Sequence, residues 1–118
     1  YVVCALLHDI GDTLSPLNHP AIAAAIVKPF VSEANHCMAE HHCIFQGYYF
    51  FDYIGRDRTI REDYRGHPFF EHKLEFCEKY DSPAFNPSLA YMPLAAFVPM
   101  IERVFAKQKR AIYRPKPE

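Results

Sequence analysis

The apolar positions of this chain recur with helical spacing, and glycine, proline and helix-capping residues divide them into segments. The first apolar run, over 2–9, predicts the end of a buried helix that Gly11 terminates. A second helix is predicted from Asn18, which suits an N-cap, with Pro20 in the first turn, where no backbone donor is needed. Pro29 ends this alanine-rich helix.

Further helices are predicted in the rest of the chain. Ser32 is placed to cap a helix that runs to about Phe45 and ends at Gly47. The aromatic segment 48–54 suits a strand as well as a helix, and in this helical context we expect a short helix or an irregular arm. The remaining segments are a polar loop or short helix over 55–66, helices over 68–80 and 93–107, and a C-terminal tail.

The composition is that of one folded domain. The chain has 118 residues, half of them apolar, and a formal net charge of −1, which excludes a disordered chain and general affinity for nucleic acid. No apolar stretch approaches the roughly 18 residues that a membrane helix needs. Four cysteines lack paired spacing, so we expect reduced thiols of a cytoplasmic protein. The alternative is that Cys37 and Cys43 are metal ligands, but six residues apart on a helix they do not share a face. The sequence thus predicts an all-α domain of about five to six helices over 1–112, with a tail over 113–118.

Candidate metal ligands are spread along the predicted helices. His8 and Asp9 stand side by side at the end of the first helix, and imidazole and carboxylate are the commonest metal ligands apart from thiolate. Adjacent residues on a helix point about 100° apart, so Asp9 can reach a second metal. The further candidates, in chain order, are His19, His41, His42 and Asp81. Such a dispersed set is typical of a dinuclear site in a helical protein.

Each of these candidates has a structural alternative. His8 and Asp9 suit a polar pair that ends a helix, and His19 flanks the N-cap of the second helix. Of the adjacent histidines at 41 and 42, one can coordinate a metal while the other hydrogen-bonds a ligand or the substrate. An acidic residue at the C-terminal end of a helix is mildly unfavourable with the helix dipole, which favours a functional role for Asp81.

The chain resembles the HD-domain superfamily of helical metalloproteins, whose signature is similar to Leu7-His8-Asp9-Ile10-Gly11. The segments 18–26, 40–49 and 76–81 are similar to the helices that carry that superfamily's further metal histidines and its last aspartate. A smaller branch, the mixed-valent diiron oxygenases that break carbon–phosphorus bonds of organophosphonates, is most similar in Phe45-Gln46-Gly47 and Tyr80-Asp81-Ser82. The resemblance covers about residues 3–106.

The resemblance implies an HD-like bundle that holds two irons bridged by Asp9. His8 and Asp81 would bind one iron and the remaining candidate histidines the other, with His8 and Asp9 as the catalytic pair. The implied activity is an oxygenase that removes hydrogen from the phosphorus-bearing carbon of a (hydroxy)alkylphosphonate and cleaves the C–P bond. Nitrogen and oxygen ligands also suit Mn, Mg, Co or Ni, and a redox-inert metal would give a phosphohydrolase, the activity typical of the wider superfamily.

The family has one more metal histidine, on a helix upstream of the His-Asp pair, whereas only seven residues precede His8 here. We expect that helix either to be absent from a shortened protein or to precede Tyr1. Without it, the iron at His8, Asp9 and Asp81 lacks a ligand, which predicts one metal at most or partial occupancy. This leaves a third function open, a non-catalytic helical module. A missing core helix would expose apolar surface, which favours a homodimer.

Two regions are candidates for contact with the phosphonate itself. Gln46 lies one helical turn after His42 and shares its face, with helix capping as the alternative role. Arg65 and His67 lie in a loop rich in cationic groups, which suit phosphonate oxygens, although neighbouring acids can pair with the arginines instead. The expected partner is a small-molecule phosphonate or phosphoester, with no nucleic acid and no membrane.

Asp12 is the candidate for recognising substrate charge. It lies three residues after Asp9, and its carboxylate would attract an amino or trimethylammonium group on the phosphonate. Aromatic residues over 45–53 could add ring faces to the same pocket. The alternative is that Asp12 caps the turn after Gly11.

Overall fold

The computed structural model describes residues 1–111, 113, 116 and 117, and all regular structure among them is helical. The α-helices are α1 (Val2–Leu7), α2 (His19–Val27), α3 (Glu33–Gln46), α4 (Phe70–Glu75) and α5 (Val98–Phe105). A π-helical stretch, Phe76–Asp81, continues α4 without a break and is called the π segment below. Short 3-10 turns lie at Pro16–Asn18, Gly47–Tyr49, Phe51–Ile54, Arg58–Tyr64, Pro83–Phe85 and Leu94–Phe97. The predicted all-α fold of five to six helices is confirmed.

Helix α3 is the centre of the domain and packs against α1, α2, α4 and the π segment. Its buried residues, Met38, Ala39, His42, Phe45 and Gln46, recur at intervals of three and four and therefore lie on one face. This face meets apolar side chains of the neighbouring helices to form the core, which includes Cys4, Ala24, Val27, Val31, Phe70, Phe76 and Cys77. Two polar side chains thus share the face that α3 buries in the core.

Of the capping residues predicted from the sequence, Ser32 caps its helix as expected, whereas Asn18 and Gly47 act differently. Ser32 caps α3, because its hydroxyl accepts a hydrogen bond from the backbone N–H of Asn35 at 3.2 Å. Asn18 is the residue before α2, but its side chain makes no capping bond. Gly47 does not end α3 in a left-handed turn; it has φ of −56° and leads directly into a 3-10 turn. The aromatic segment that follows is a pair of short 3-10 helices, in agreement with a short helix rather than a strand.

Gly11 lets the turn after α1 pack tightly on the start of α2. A methyl group at this position would lie 2.6 Å from Cβ of Ile22 and 2.8 Å from the carbonyl oxygen of His19, both too close for any side chain. Small residues also line α2 where it meets α3, since Ala23 and Ala24 are buried. These close approaches bring the His8-Asp9 turn, α2 and α3 together at one end of the bundle.

Lys109 and Arg110, after α5, form hydrogen bonds with the loop that connects α2 to α3. The carbonyl of Pro29 accepts hydrogen bonds from the backbone N–H groups of Lys109, at 2.7 Å, and Arg110, at 3.0 Å. The guanidinium of Arg110 donates to the carbonyls of Lys28 and Val31. The predicted tail over 113–118 includes residues that lie outside the described ones. Across the described chain, no helix has the length and apolar character needed to cross a membrane.

Candidate metal centre

Five of the predicted metal ligands meet at one end of the bundle. Asp9 is central: its Oδ1 lies 2.9 Å from Nε2 of His19 and 3.1 Å from Nε2 of His42, and its Oδ2 lies 3.2 Å from Nε2 of His8. Asp81 lies on the other side of His8, with Oδ1 at 3.4 Å from the same Nε2 atom. These residues, His8, Asp9, His19, His42 and Asp81, are called the His/Asp cluster below.

The three histidines of the cluster share one orientation, which their own helices impose. Each Nδ1 atom lies against the backbone carbonyl three residues earlier: His8 on Ala5 at 2.5 Å, His19 on Pro16 at 3.4 Å and His42 on Ala39 at 2.7 Å. A carbonyl can only accept a hydrogen bond, so Nδ1 carries the proton and a neutral ring presents the Nε2 lone pair to the cluster. This is the arrangement in which a metal-binding histidine is held by a backbone partner.

The Nε2 atom of His8 lies in a strongly negative environment. It is buried, and neither carboxylate contact has the geometry of a hydrogen bond, so it has no hydrogen-bond partner among the described residues. Burial alone lowers the pKa of His8, but Asp81, Asp9 and the Ala5 carbonyl outweigh it and raise that pKa to about 10. His42 and His8, against the opposing effect of burial, hold the pKa of Asp9 well below its ordinary value. A cation is therefore favoured between these groups, either a proton on His8 or a metal ion.

The donor set fits a metal ion on two further grounds. Nε2 of His19 and Nε2 of His42 lie 3.2 Å apart, and two lone pairs at this distance repel each other unless a cation lies between them. Asp9 faces both sides, with Oδ1 toward His19 and His42 and Oδ2 toward His8. The residues thus offer two adjacent positions that share the Asp9 carboxylate.

The π segment delivers Asp81 to the cluster. Its last turn is closed by a hydrogen bond from the N–H of Ser82 to the carbonyl of Cys77, five residues earlier, at 2.9 Å. Such wide turns are rare and occur frequently at functional sites. The sequence predicted a helix over 68–80, and the chain is helical over 70–81. Apolar spacing does not distinguish an α-helical from a π-helical turn, so the π-helical form of the last part could not be predicted.

A small pocket of about 170 Å³ opens onto the cluster. Gln46, Phe50 and Phe85 line it together with all the cluster residues except His8. The same three side chains also line an adjoining, mainly apolar pocket of about 380 Å³. The Oε1 atom of Gln46 is buried and has no hydrogen-bond partner among the described residues. This leaves an acceptor free beside the candidate metal positions.

The other predicted site residues lie outside the cluster. His41 faces away from it and packs its ring on Tyr64, with ring centroids 4.9 Å apart. Arg65 is exposed and forms an ion pair with Glu62 at 2.6 Å, which is the alternative weighed for this loop. The ring of His67 also packs on Tyr64, the aromatic residue that His41 contacts.

Asp12 lies behind a cluster residue rather than in the pocket. Its Oδ1 is 3.6 Å from Nδ1 of His19, and it does not line either pocket beside the cluster. This position suits a group that orients His19. The role of Asp12 in recognising substrate charge stays a prediction.

Cys43 is a neighbour of the cluster that sequence reasoning missed. Its Sγ atom lies 3.3 Å from Nε2 of His19 and 3.6 Å from Nε2 of His42. From the sequence, Cys43 is a candidate ligand only together with Cys37, and the two do not share a helix face. The available signal was the adjacent pair His42-Cys43, which repeats the spacing of His8-Asp9: two possible ligands about 100° apart on one helix end.

Comparisons with models of known families, with curated proteins and with solved structures find no match to this chain. The description of the site therefore depends on its own geometry.

Proposed function

We propose that this chain binds two metal ions side by side in the His/Asp cluster and acts as a metal-dependent enzyme. The observation that carries the proposal is the convergence of three imidazole Nε2 atoms on Asp9, which Asp81 extends on the side of His8. One position has Asp9, His19 and His42 as ligands. The other has His8, Asp9 and Asp81.

The proposed reaction is the oxygen-dependent cleavage of the C–P bond of a (hydroxy)alkylphosphonate that bears an amino or trimethylammonium group. The resemblance to the HD-type diiron oxygenases supports this choice, and iron accepts the nitrogen and oxygen ligands present. A pair of irons would supply dioxygen activation and a binding place for the phosphonate oxygens.

The chain's own residues have separate tasks in this proposal. Gln46 accepts a hydrogen bond from the substrate's hydroxyl or ammonium group through its unpartnered Oε1. Phe50 and Phe85 line both pockets and supply apolar contacts for the part of the substrate remote from the metals. Ring faces in the adjoining pocket, including that of Tyr49, suit a cationic group.

The first experiment measures metal content and oxidation state in protein purified without added metal. We expect iron, with one ion bound tightly and the second more weakly, and an absorption band of ferric iron. The purified protein is then given a 2-trimethylammonium-1-hydroxyethylphosphonate, and phosphate release is followed with and without dioxygen. Asp9→Ala should release no phosphate, whereas Asp63→Ala, which removes an exposed carboxylate that takes no part in the cluster contacts, should behave as wild type.

The other outcomes separate the alternatives. A divalent metal with oxygen-independent hydrolysis of a phosphoester would replace the oxygenase by a phosphohydrolase of the same site. Binding of metal without turnover of either substrate would favour a non-catalytic module. Protein that takes up no Fe²⁺, Mn²⁺ or Co²⁺ in a titration would contradict the metal site itself.

A further inference from the structure

We propose that Cys43 is a metal ligand, and that its thiolate completes the coordination of the ion held by Asp9, His19 and His42. The proposal rests on the metal site proposed above and extends it to a residue that the resemblance does not assign. Cys43 follows His42 directly on α3 and lies at the lining of the small pocket, half-buried.

The distances around Cys43 match those of a coordination shell. In a tetrahedral site with metal–nitrogen bonds of about 2.05 Å and a metal–sulfur bond of about 2.3 Å, ligand atoms stand roughly 3.3 Å apart for N···N and roughly 3.6 Å for N···S. The two histidine Nε2 atoms are 3.2 Å apart, and Sγ of Cys43 lies at 3.3 Å and 3.6 Å from them. The three atoms therefore already form one face of such a shell.

Asp9 contacts the same two nitrogens. Its Oδ1 lies 2.9 Å from Nε2 of His19 and 3.1 Å from Nε2 of His42, close to the roughly 3.3 Å of an N···O edge. The two nitrogens therefore lie close to both Oδ1 of Asp9 and Sγ of Cys43. An ion bound to all four atoms would have two nitrogen, one oxygen and one sulfur ligand.

A simple hydrogen bond explains less of this geometry. A thiol has one proton and can donate to only one of the two nitrogens, so a single S–H···N hydrogen bond does not account for both short contacts of Sγ. Metal binding satisfies all three atoms at once: the S–H bond breaks, a sulfur–metal bond forms, and the proton leaves to the solvent. No oxidation or reduction is involved.

A sulfur ligand changes which ions the site selects. Thiolate favours Zn²⁺, Co²⁺ and Fe²⁺ over the harder ions Mg²⁺ and Mn²⁺, which prefer oxygen. We therefore infer that this position takes a borderline transition-metal ion. Among the described residues, the short contacts of the position at His8, Asp9 and Asp81 include no thiol, so this position takes the harder ion of the pair.

The test uses Co²⁺ as a probe added to metal-free protein, since cobalt bound to thiolate has a charge-transfer band in the near ultraviolet. Wild type and Cys37→Ser should develop this band together with the visible bands of bound Co²⁺. Cys43→Ser and Cys43→Ala should keep the visible bands, lose the near-ultraviolet band and bind Co²⁺ at least about tenfold more weakly, since even an outer-shell loss costs that much. Cys37 is the matched control because it lies on the same helix within a separate His/Cys/Glu group.

A second measurement does not depend on the variants being stable. Bound Zn²⁺ should slow the alkylation of Cys43 by iodoacetamide in wild type and leave that of Cys37 unchanged, as read by mass spectrometry. Visible cobalt bands without the near-ultraviolet band in wild type would overturn the role of Cys43 and leave the metal site standing. Loss of the near-ultraviolet band in Cys37→Ser but not in Cys43→Ser would overturn it as well. A wild-type protein that shows neither set of bands would contradict the metal site itself.

Discussion

Replacing Asp9 with alanine should abolish the stabilisation that metal ions give to the fold. Among the described residues, Asp9 is the one carboxylate that contacts all three cluster histidines, so its loss weakens both proposed positions. The apo fold should change little, because the Asp9 side chain is 61% exposed and leaves no cavity in the core. The histidine at position 8 also keeps its second carboxylate neighbour, Asp81.

The expected magnitude follows from mass action. A metal present at about 100 times its dissociation constant stabilises the folded state by about 2.7 kcal/mol. For a domain of this size, each kcal/mol raises Tm by roughly 4 °C, so wild type should gain about 10 °C. If the variant binds about 100-fold more weakly, the same metal concentration contributes about 0.4 kcal/mol, or a shift of less than about 2 °C.

The assay is thermal unfolding followed by far-ultraviolet circular dichroism, with and without Co²⁺ or Fe²⁺ under anaerobic conditions. Asp63→Ala is the control for removing a negative charge and should keep the full metal-dependent shift. An equal shift in wild type and Asp9→Ala would refute the role of Asp9 as the shared ligand. A loss of helical signal in the metal-free variant would instead show that Asp9 is needed for folding.

Three further outcomes are expected. Gly11→Ala should lower Tm and weaken metal binding, because its methyl group would lie 2.6 Å from Cβ of Ile22. Thermal unfolding and cobalt titration measure the two effects, and Gly66→Ala, whose methyl group meets open space, should change neither. Ser32→Ala should cost about 1 kcal/mol in urea unfolding, since α3 loses its capping hydrogen bond. Lys73→Met should stabilise the protein at pH 7, because burial lowers the pKa of this lysine and disfavours its charged form. Between the lowered pKa of Lys73 and about 10.5, the unfolded wild-type chain binds more protons than the folded one, so the free energy of unfolding of wild type should rise with pH relative to Lys73→Met. A difference between the two proteins that is the same at pH 7 and pH 10 would contradict this.

The sequence alone determined the helical class and the chemical nature of the site. Helix boundaries near Ser32 and Pro29 follow from local rules, because a capping hydroxyl and a missing backbone donor act within one turn of the chain. The candidate ligands could also be named from the sequence. The adjacent His8 and Asp9 at the end of the first predicted helix, followed by His19 at the start of the second, already indicated a His/carboxylate set.

Only the tertiary structure decided which neighbours join the cluster. The choice of His42 over His41 depends on the face of α3 that is buried, and this face is set by packing against α2 and α4 rather than by the two histidines themselves. The wide π turn before Asp81 and the approach of Cys43 to His19 depend on contacts between helices far apart in the chain. Sequence periodicity gives the spacing within a helix, but distances between helices are fixed by the volumes that pack between them.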